Sequence, residues 1–336
     1  MGADPARIAA ARQVLAQLGV SLADLESGDE EPQCLPTVGE YLPCVLAAAG
    51  PGGRRTYGSY WRRMAAEWGD RPLDEIRASD VEAMQREAIA TARPRRNGGD
   101  GRHAGEHVIA AARALFNRAI ADGLLAAGSS PAHQVGKPRR LPSPRRALVA
   151  EELEQINLVA RTTGSDAVLD ALILRLHTET ACRRGGALSL RLMDLDVTRG
   201  LLRLREKGGT VRWQPITLDL AGRLSEHADI RGTVLPGDAL LRYRNGRALT
   251  SRRYDHLWHR IGEQLPWVAI QGISTHWLRH TTLTWVERHF GYGIARAYAG
   301  HTDSHGAATT TYIKADLQAV ATALTAMTGQ PHPMAG

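Results

Sequence analysis

Six polar side chains, in chain order Arg183, Lys207, His276, Arg279, His301 and Tyr312, make a set able to work on a phosphodiester. His276 and Arg279 lie three residues apart in STHWLRHTTLTWVERHF, so a helix there puts them on one face. An arginine fork and an imidazole donor side by side can grip a single phosphate. Arg183 stands at a helix boundary in TETACRRGGALSLRLMDLD, just ahead of Gly185 and Gly186, where the backbone is free to turn. Lys207 heads a Lys-Gly-Gly turn, from which a mobile ammonium can enter a site. His301 follows Gly300 in AGHTDSHGAATTTYIKA, and Tyr312 comes eleven residues later, after three threonines. Singly, each also fits a plain structural role: HxxR is a common string, turn lysines are usually solvated, and most tyrosines pack. Together they supply two fixed cations, a lysine, two imidazoles and a phenol, with no carboxylate cluster to hold a metal. That inventory suits metal-free phosphoryl transfer. The phenol attacks, the arginines neutralise charge on the non-bridging oxygens, and the lysine protonates the leaving oxygen. A covalent phosphotyrosine conserves the bond energy, so resealing needs no ATP.

The elements that must position these groups follow from periodicity and punctuation. Residues 1–36 give an N-terminal helical extension and an acidic stretch, ESGDEEPQ, that reads as a linker. Residues 37–136 form an all-helical domain. Thr37 offers a cap for the first helix, which Pro43 should kink or delay. The stripe Tyr57, Tyr60, Trp61, Met64 and Trp68 is expected to be core, and Ser79 with Glu82 forms a capping box for the third helix. A long Ala-rich helix, GEHVIAAARALFNRAIADGLL, closes the domain. Residues 137–147 are a basic linker broken by Pro138, Pro142 and Pro144, with charge suited to a phosphate backbone. In residues 148–328, helical patterns surround the alternating stretch LLRLREKGGTVRWQPITL, which reads as a β-hairpin. Residues 329–336 are a tail. The fold class is mainly α with a small β-sheet.

The 336 residues include 42 Lys plus Arg against 35 Asp plus Glu, a net charge of +7. A basic balance favours a polyanionic partner, although a GC-rich genome also enriches arginine. No apolar run is long enough to span a bilayer, and the N-terminus lacks a secretory pattern. Cys34, Cys44 and Cys182 form neither CxxC pairs nor zinc-like arrays, which points to free thiols in a reducing cytoplasm. Neither a cofactor nor a metal is expected.

The order and spacing of the six groups resemble the tyrosine recombinase (phage integrase) family over roughly residues 37–328. TACRRGGALSLRLMDLD resembles the segment around the family's first arginine, with Arg183 in that role. REKGGTVRWQPI resembles the hairpin of the family lysine, here Lys207. HWLRHT resembles its His-x-x-Arg box, AGH supplies His301, and TTTY supplies the nucleophile Tyr312. The resemblance implies a helical core-binding domain and a mixed α/β catalytic domain that clamp double-stranded DNA at an inverted-repeat core site. It implies a protein that is a monomer or weak oligomer when free and a homotetramer on two DNA sites. Strands would be exchanged through a 3′-phosphotyrosyl intermediate and a Holliday junction, with an accessory directionality factor as a further partner and a nucleoid-associated, cytoplasmic location. The last helix, 316–327, would dock on a neighbouring subunit. Three positions depart from the family pattern. Ala181 stands where glycine is frequent, Gly186 where an acidic residue is usual, and the His301–Tyr312 interval is about two residues long.

Three other readings share parts of this pattern. A type IB-like topoisomerase uses similar chemistry alone. A catalytically silent DNA-binding or architectural protein would keep the clamp, but Tyr312 is intact. A metal nuclease would need carboxylates clustered with histidine. Biological role, whether mobile-element integrase or chromosome-dimer resolvase, is not written in the motifs.

Overall fold

The computed structural model describes residues 5–21, 35–92, 101–139, 145–205, 211–300 and 317–335. The chain divides into two compact units, Met1–Leu141 and Pro142–Gly336.

In the first unit, α1 (Pro5–Leu18) exposes its apolar residues Ile8, Val14 and Leu18. α2 (Val38–Ala48) opens with a reciprocal cap: Thr37 Oγ1 accepts from the Glu40 N–H at 3.2 Å, and Glu40 Oε2 accepts from the Thr37 N–H at 2.9 Å. Pro43 neither delays nor splits this helix. It sits in the second turn, where a missing N–H removes a single ladder bond. α3 (Pro51–Trp68) buries Trp61, Met64 and Trp68, while Tyr57 and Tyr60 are half-buried, so the aromatic stripe is core. The Trp61 indole donates to the Ala111 carbonyl at 3.0 Å. α4 (Ala78–Ala90) starts earlier than its expected cap. Ser79 lies inside the helix, and Asp80 does the capping by accepting from the Arg77 N–H at 2.8 Å and from Arg71 at 2.9 Å. A carboxylate that can serve a backbone donor and a guanidinium together outcompetes a hydroxyl one residue away. α5 (Arg102–Ala121) presents Gly105, Ala111, Ala112 and Ala119 among its buried residues, which lets α3 and α4 approach closely. A short α6 (Pro131–Gln134) completes the unit.

The second unit is built on α7 (Ala150–Thr162) and α8 (Ala167–Thr180), the latter buried on most of its circumference. Then come α9 (Arg184–Leu188) and an antiparallel sheet of β1 (Leu195–Asp196), β2 (Leu201–Arg205) and β3 (Val211–Pro215), in the order β1-β2-β3. The hairpin register pairs Leu202 with Gln214 and Leu204 with Arg212. Period-2 alternation buries Leu202 and Leu204 while Arg203 stacks over Trp213 on the other face. The two-residue β1 was not anticipated; it is too short to carry a periodic signal. α10 (Leu218–Ile230), α11 (Ser251–Gln264), α12 (Pro266–Gln271) and α13 (Thr275–Ala299) follow, with a non-helical break in α13 at Gly291. α14 (Leu317–Thr328) packs on α13 and β3 of its own unit, through Val320, Ala323 and Leu324 against Val286, Ala295 and Tyr298. In the single chain the last helix is therefore seated in cis. Among the described residues, no helix is long and apolar enough to cross a membrane.

Candidate active site

The carboxyl end of α8 is where the site begins. A helix leaves its last carbonyls without intrahelical partners. Here four consecutive carbonyls are taken by side chains from distant elements. Thr282 donates to Thr178 at 2.7 Å, Tyr298 to Glu179, Arg212 to Thr180 at 3.3 Å, and Arg279 to Ala181. Three of these donors lie on α13 and one on β3. The chain turns sharply at Ala181, which adopts φ 49° and ψ 22°, the one non-glycine with positive φ among the described residues. The glycine frequent at this position in the resembling family has a physical counterpart, since an alanine in this conformation carries about 1 kcal/mol of strain. Two residues later the turn delivers Arg183.

Arg279 is the centre of the arrangement. Its side chain is buried, and besides the Ala181 carbonyl it donates to the Ala299 carbonyl at 2.7 Å. One guanidinium thus joins the peptide that leads to Arg183 and the peptide that leads to His301. Gly300, between Ala299 and His301, has φ 65° and sits tightly against Arg212 on the hairpin. A Cβ there would lie 2.6 Å from Arg212 Cδ and nearer still to Nε, so both conformation and space require glycine.

Arg183, His276 and Arg279 line one cleft of about 490 Å³, with Ser274, Thr275 and Tyr254 on its walls. His276 is the second residue of α13, so the cleft also receives the amino-terminal end of that helix, where backbone N–H groups favour an anion. His276 is exposed, yet its pKa is held below the ordinary imidazole range, first by desolvation and then by Arg145, Arg279, His280 and Arg183 around it. Among the described residues, the carboxylate lining the cleft is Asp255, which faces Arg184 at 3.3 Å. The result is a concave, cationic surface of the size and polarity that a phosphodiester requires.

Lys207, His301 and Tyr312 lie outside the described residues. Both arms of the Lys207 hairpin are described, and the first is anchored firmly. Asp194, fully buried, accepts from the Arg191 N–H at 3.0 Å, Arg203 Nε at 2.9 Å, and both terminal nitrogens of Arg205 at 2.5 and 2.7 Å. Burial works to raise the Asp194 pKa, and the bonds from Arg205 and Arg203 outweigh it, leaving the group below the usual carboxylate value.

Three residues that shape the cleft were not singled out in the sequence. Arg145 belongs to the basic linker; Leu148 donates its N–H to Thr281 on α13 at 2.9 Å and so brings the linker's end to that helix. Its neighbour Arg146 is spent on Glu152 at the start of α7. His177 and Tyr254 belong to no motif of the sequence. Their hydrogen bonds to one another and to Cys182 depend on tertiary packing, which leaves no mark in spacing. Among the described residues no group of three or more His, Cys, Asp or Glu could hold a metal ion.

Residues 146–318, just over half of the chain, match the sequence profile of the phage integrase family. The chain belongs to the phage integrase family. These tyrosine recombinases are DNA strand-transferring enzymes, and this chain is one by class. It is similar to the tyrosine recombinase XerC of Roseiflexus castenholzii (strain DSM 13941 / HLO8), 24% identical over 249 residues that cover 72% of this chain and 74% of that protein. XerC of Chlamydia caviae (strain ATCC VR-813 / DSM 19441 / 03DC25 / GPIC) is 26% identical over 170 residues, 49% of this chain and 53% of that one. Among solved structures, the fold is shared with a lambda integrase tetramer bound to a Holliday junction, with a TM-score of 0.59, 18% identity, and coverage of 91% and 90% of the two chains. It is shared too with the Tn1549 transposon integrase in complex with circular intermediate DNA, with a TM-score of 0.62, 14% identity, and coverage of 82% and 98%. The mainly helical fold with a small sheet is thus that of an integrase.

Proposed function

We propose that this integrase-family enzyme is a site-specific recombinase that cleaves and rejoins duplex DNA through Tyr312. The observation that carries the reading is the Arg279 bridge, which gathers the Arg183 turn, the His276 helix end and the approach to His301 around one cationic cleft. The scissile phosphate lies in that cleft. Arg183 and Arg279 balance the charge that develops on its non-bridging oxygens, and His276 donates a further hydrogen bond. Tyr312 attacks phosphorus as its phenol proton passes to His301, the phosphorus–5′-oxygen bond breaks, and Lys207 hands a proton to the departing 5′ oxygen. The 3′-phosphotyrosyl bond keeps the energy needed to reseal, so the cycle runs without metal or ATP. Lys207, His301 and Tyr312 enter this scheme from their sequence positions. By likeness to the lambda integrase assembly, the working form is a tetramer on two core sites that passes through a Holliday junction. The location that goes with this role is the cytoplasm, on the nucleoid.

The test is incubation with a nicked duplex carrying the core site, in EDTA and without ATP. The wild type forms a denaturant-resistant protein–DNA adduct and Tyr312→Phe does not. An adduct on the Phe variant overturns the nucleophile assignment. Relaxation of supercoiled DNA without synapsis assigns the protein to the topoisomerase-like class instead. Affinity for DNA falls steeply with salt because phosphate contacts dominate it.

A further inference from the structure

We propose that His177 and Tyr254 are positioning residues that hold Arg183 in register through the Cys182 peptide. The inference rests on the reading of Arg183 as a phosphate-binding group. His177 Nδ1 lies 3.0 Å from the Cys182 carbonyl oxygen, and His177 Nε2 lies 2.9 Å from the Tyr254 hydroxyl. A carbonyl oxygen only accepts, so Nδ1 carries the proton and donates. Nε2 must then accept, and Tyr254 donates to it. The two bonds run in one direction: Tyr254 hydroxyl to imidazole to Cys182 carbonyl. That carbonyl belongs to the peptide unit whose nitrogen is Arg183's own, so its orientation sets the plane from which the Arg183 side chain departs.

The neighbourhood makes this chain of bonds consequential. His177 and Cys182 are buried and Tyr254 is almost fully so, and the two rings meet edge to face at 5.4 Å. The Cys182 N–H is held by Thr180 Oγ1 at 3.2 Å, and the preceding carbonyl by Arg279. Ala181, strained at positive φ, stays in place because its flanking groups are tied. Tyr254 and Cys182 also line the cleft beside Arg183. Removing the Tyr254 hydroxyl leaves the Nε2 lone pair without its donor, so the imidazole is held at one nitrogen only and can tilt. The Nδ1–H bond to the Cys182 carbonyl then weakens, the peptide rotates, and Arg183 is displaced from the phosphate.

The test measures single-turnover adduct formation on the nicked duplex with saturating full-length protein, together with DNA affinity, thermal stability and the His177 tautomer by nitrogen-15 NMR. Tyr254→Phe is expected to slow cleavage about tenfold, the scale of a sub-ångström misplacement of a catalytic group. Its DNA affinity stays close to wild type, its melting temperature falls by a few degrees, the scale of one lost hydrogen bond, and the Nδ1–H resonance persists but shifts as its own bond weakens. His177→Asn keeps an N–H donor in the Nδ1 position. It is expected to retain cleavage and to be indifferent to a further Tyr254→Phe change, whereas His177→Leu loses rate as Tyr254→Phe does. Wild-type cleavage shared by Tyr254→Phe overturns the proposal. So does a loss of rate matched by the fraction unfolded at the assay temperature or by lost DNA affinity, or an Nε2–H tautomer in the wild type. If either histidine variant does not fold, Tyr254→Phe and the tautomer decide. A wild type that forms no Tyr312 adduct defeats the reading of the enzyme itself, and the NMR result still decides the hydrogen-bond chain.

Discussion

Gly300→Ala is a one-carbon change whose effect can be worked from the structure. An alanine at φ 65° sits in the left-handed region at a strain of about 1 kcal/mol. Its Cβ would lie 2.6 Å from Arg212 Cδ, so the middle of that side chain must move rather than its tip. Moving it sacrifices the bond to the Thr180 carbonyl, 3.3 Å long, and the bond to Gln214, at about 1 kcal/mol each. The sum is about 3 kcal/mol, which for a unit of this size lowers the melting temperature by about 6–12 °C. Calorimetry on the full chain measures it. In an Arg212→Ala background there is no side chain to displace, and the same Gly300→Ala change costs about 1 kcal/mol, the strain alone. An equal loss in both backgrounds, or no loss in either, refutes the steric argument.

Three further outcomes follow from the same geometry. Asp194→Asn removes the charge that holds Arg203 and Arg205, whose side chains are about one-third exposed, and is expected to destabilise the fold by about 2 kcal/mol in denaturant titrations, with slower strand cleavage as the Lys207 hairpin loosens. His177 and His227 are pushed down to about 4 by burial, so between pH 4 and 6.5 the unfolded chain binds more protons than the folded one. Stability is therefore full above pH 6.5 and falls on acidification, by about 2 kcal/mol per histidine at pH 5, and equal melting temperatures at pH 7 and 5 contradict it. His276 is held low by desolvation and surrounding cations, and on the proposed phosphate contact DNA binding relieves it; titration calorimetry near pH 6 in buffers of different ionisation enthalpy should show proton uptake that His276→Gln abolishes.

What the sequence disclosed depended on the range of the physics involved. Period-2 alternation in LLRLR and VRWQP is local, and it located both hairpin strands. The i, i+3 spacing of His276 and Arg279 placed both at one cleft because a helix enforces it over three residues. The same spacing did not disclose that Arg279 is buried and spends donors on two backbone carbonyls while His276 stays exposed. That division arises from packing against residues 98 and 20 positions away. At Ser79 the competition is local: hydroxyl and carboxylate both cap helices, and Asp80, which also meets Arg71, prevails. The Gly186 question, about what orients Arg183 without an acidic group there, has its material in His177 and Tyr254, which are 77 residues apart.

The Arg279 bridge also bears on when the enzyme becomes able to cut. A contact spanning 98 residues closes a long loop, and such contacts form late because loop-closure entropy must be met before they stabilise anything. A nascent chain still lacking Ala299 can tie α13 to the Arg183 turn through the Ala181 and Thr178 carbonyls, but the second arm of the bridge, the one toward His301, has no acceptor. Local opening of α13 in the finished protein would release both arms. On the proposed chemistry, the capacity to break DNA is thus tied to completion of the fold.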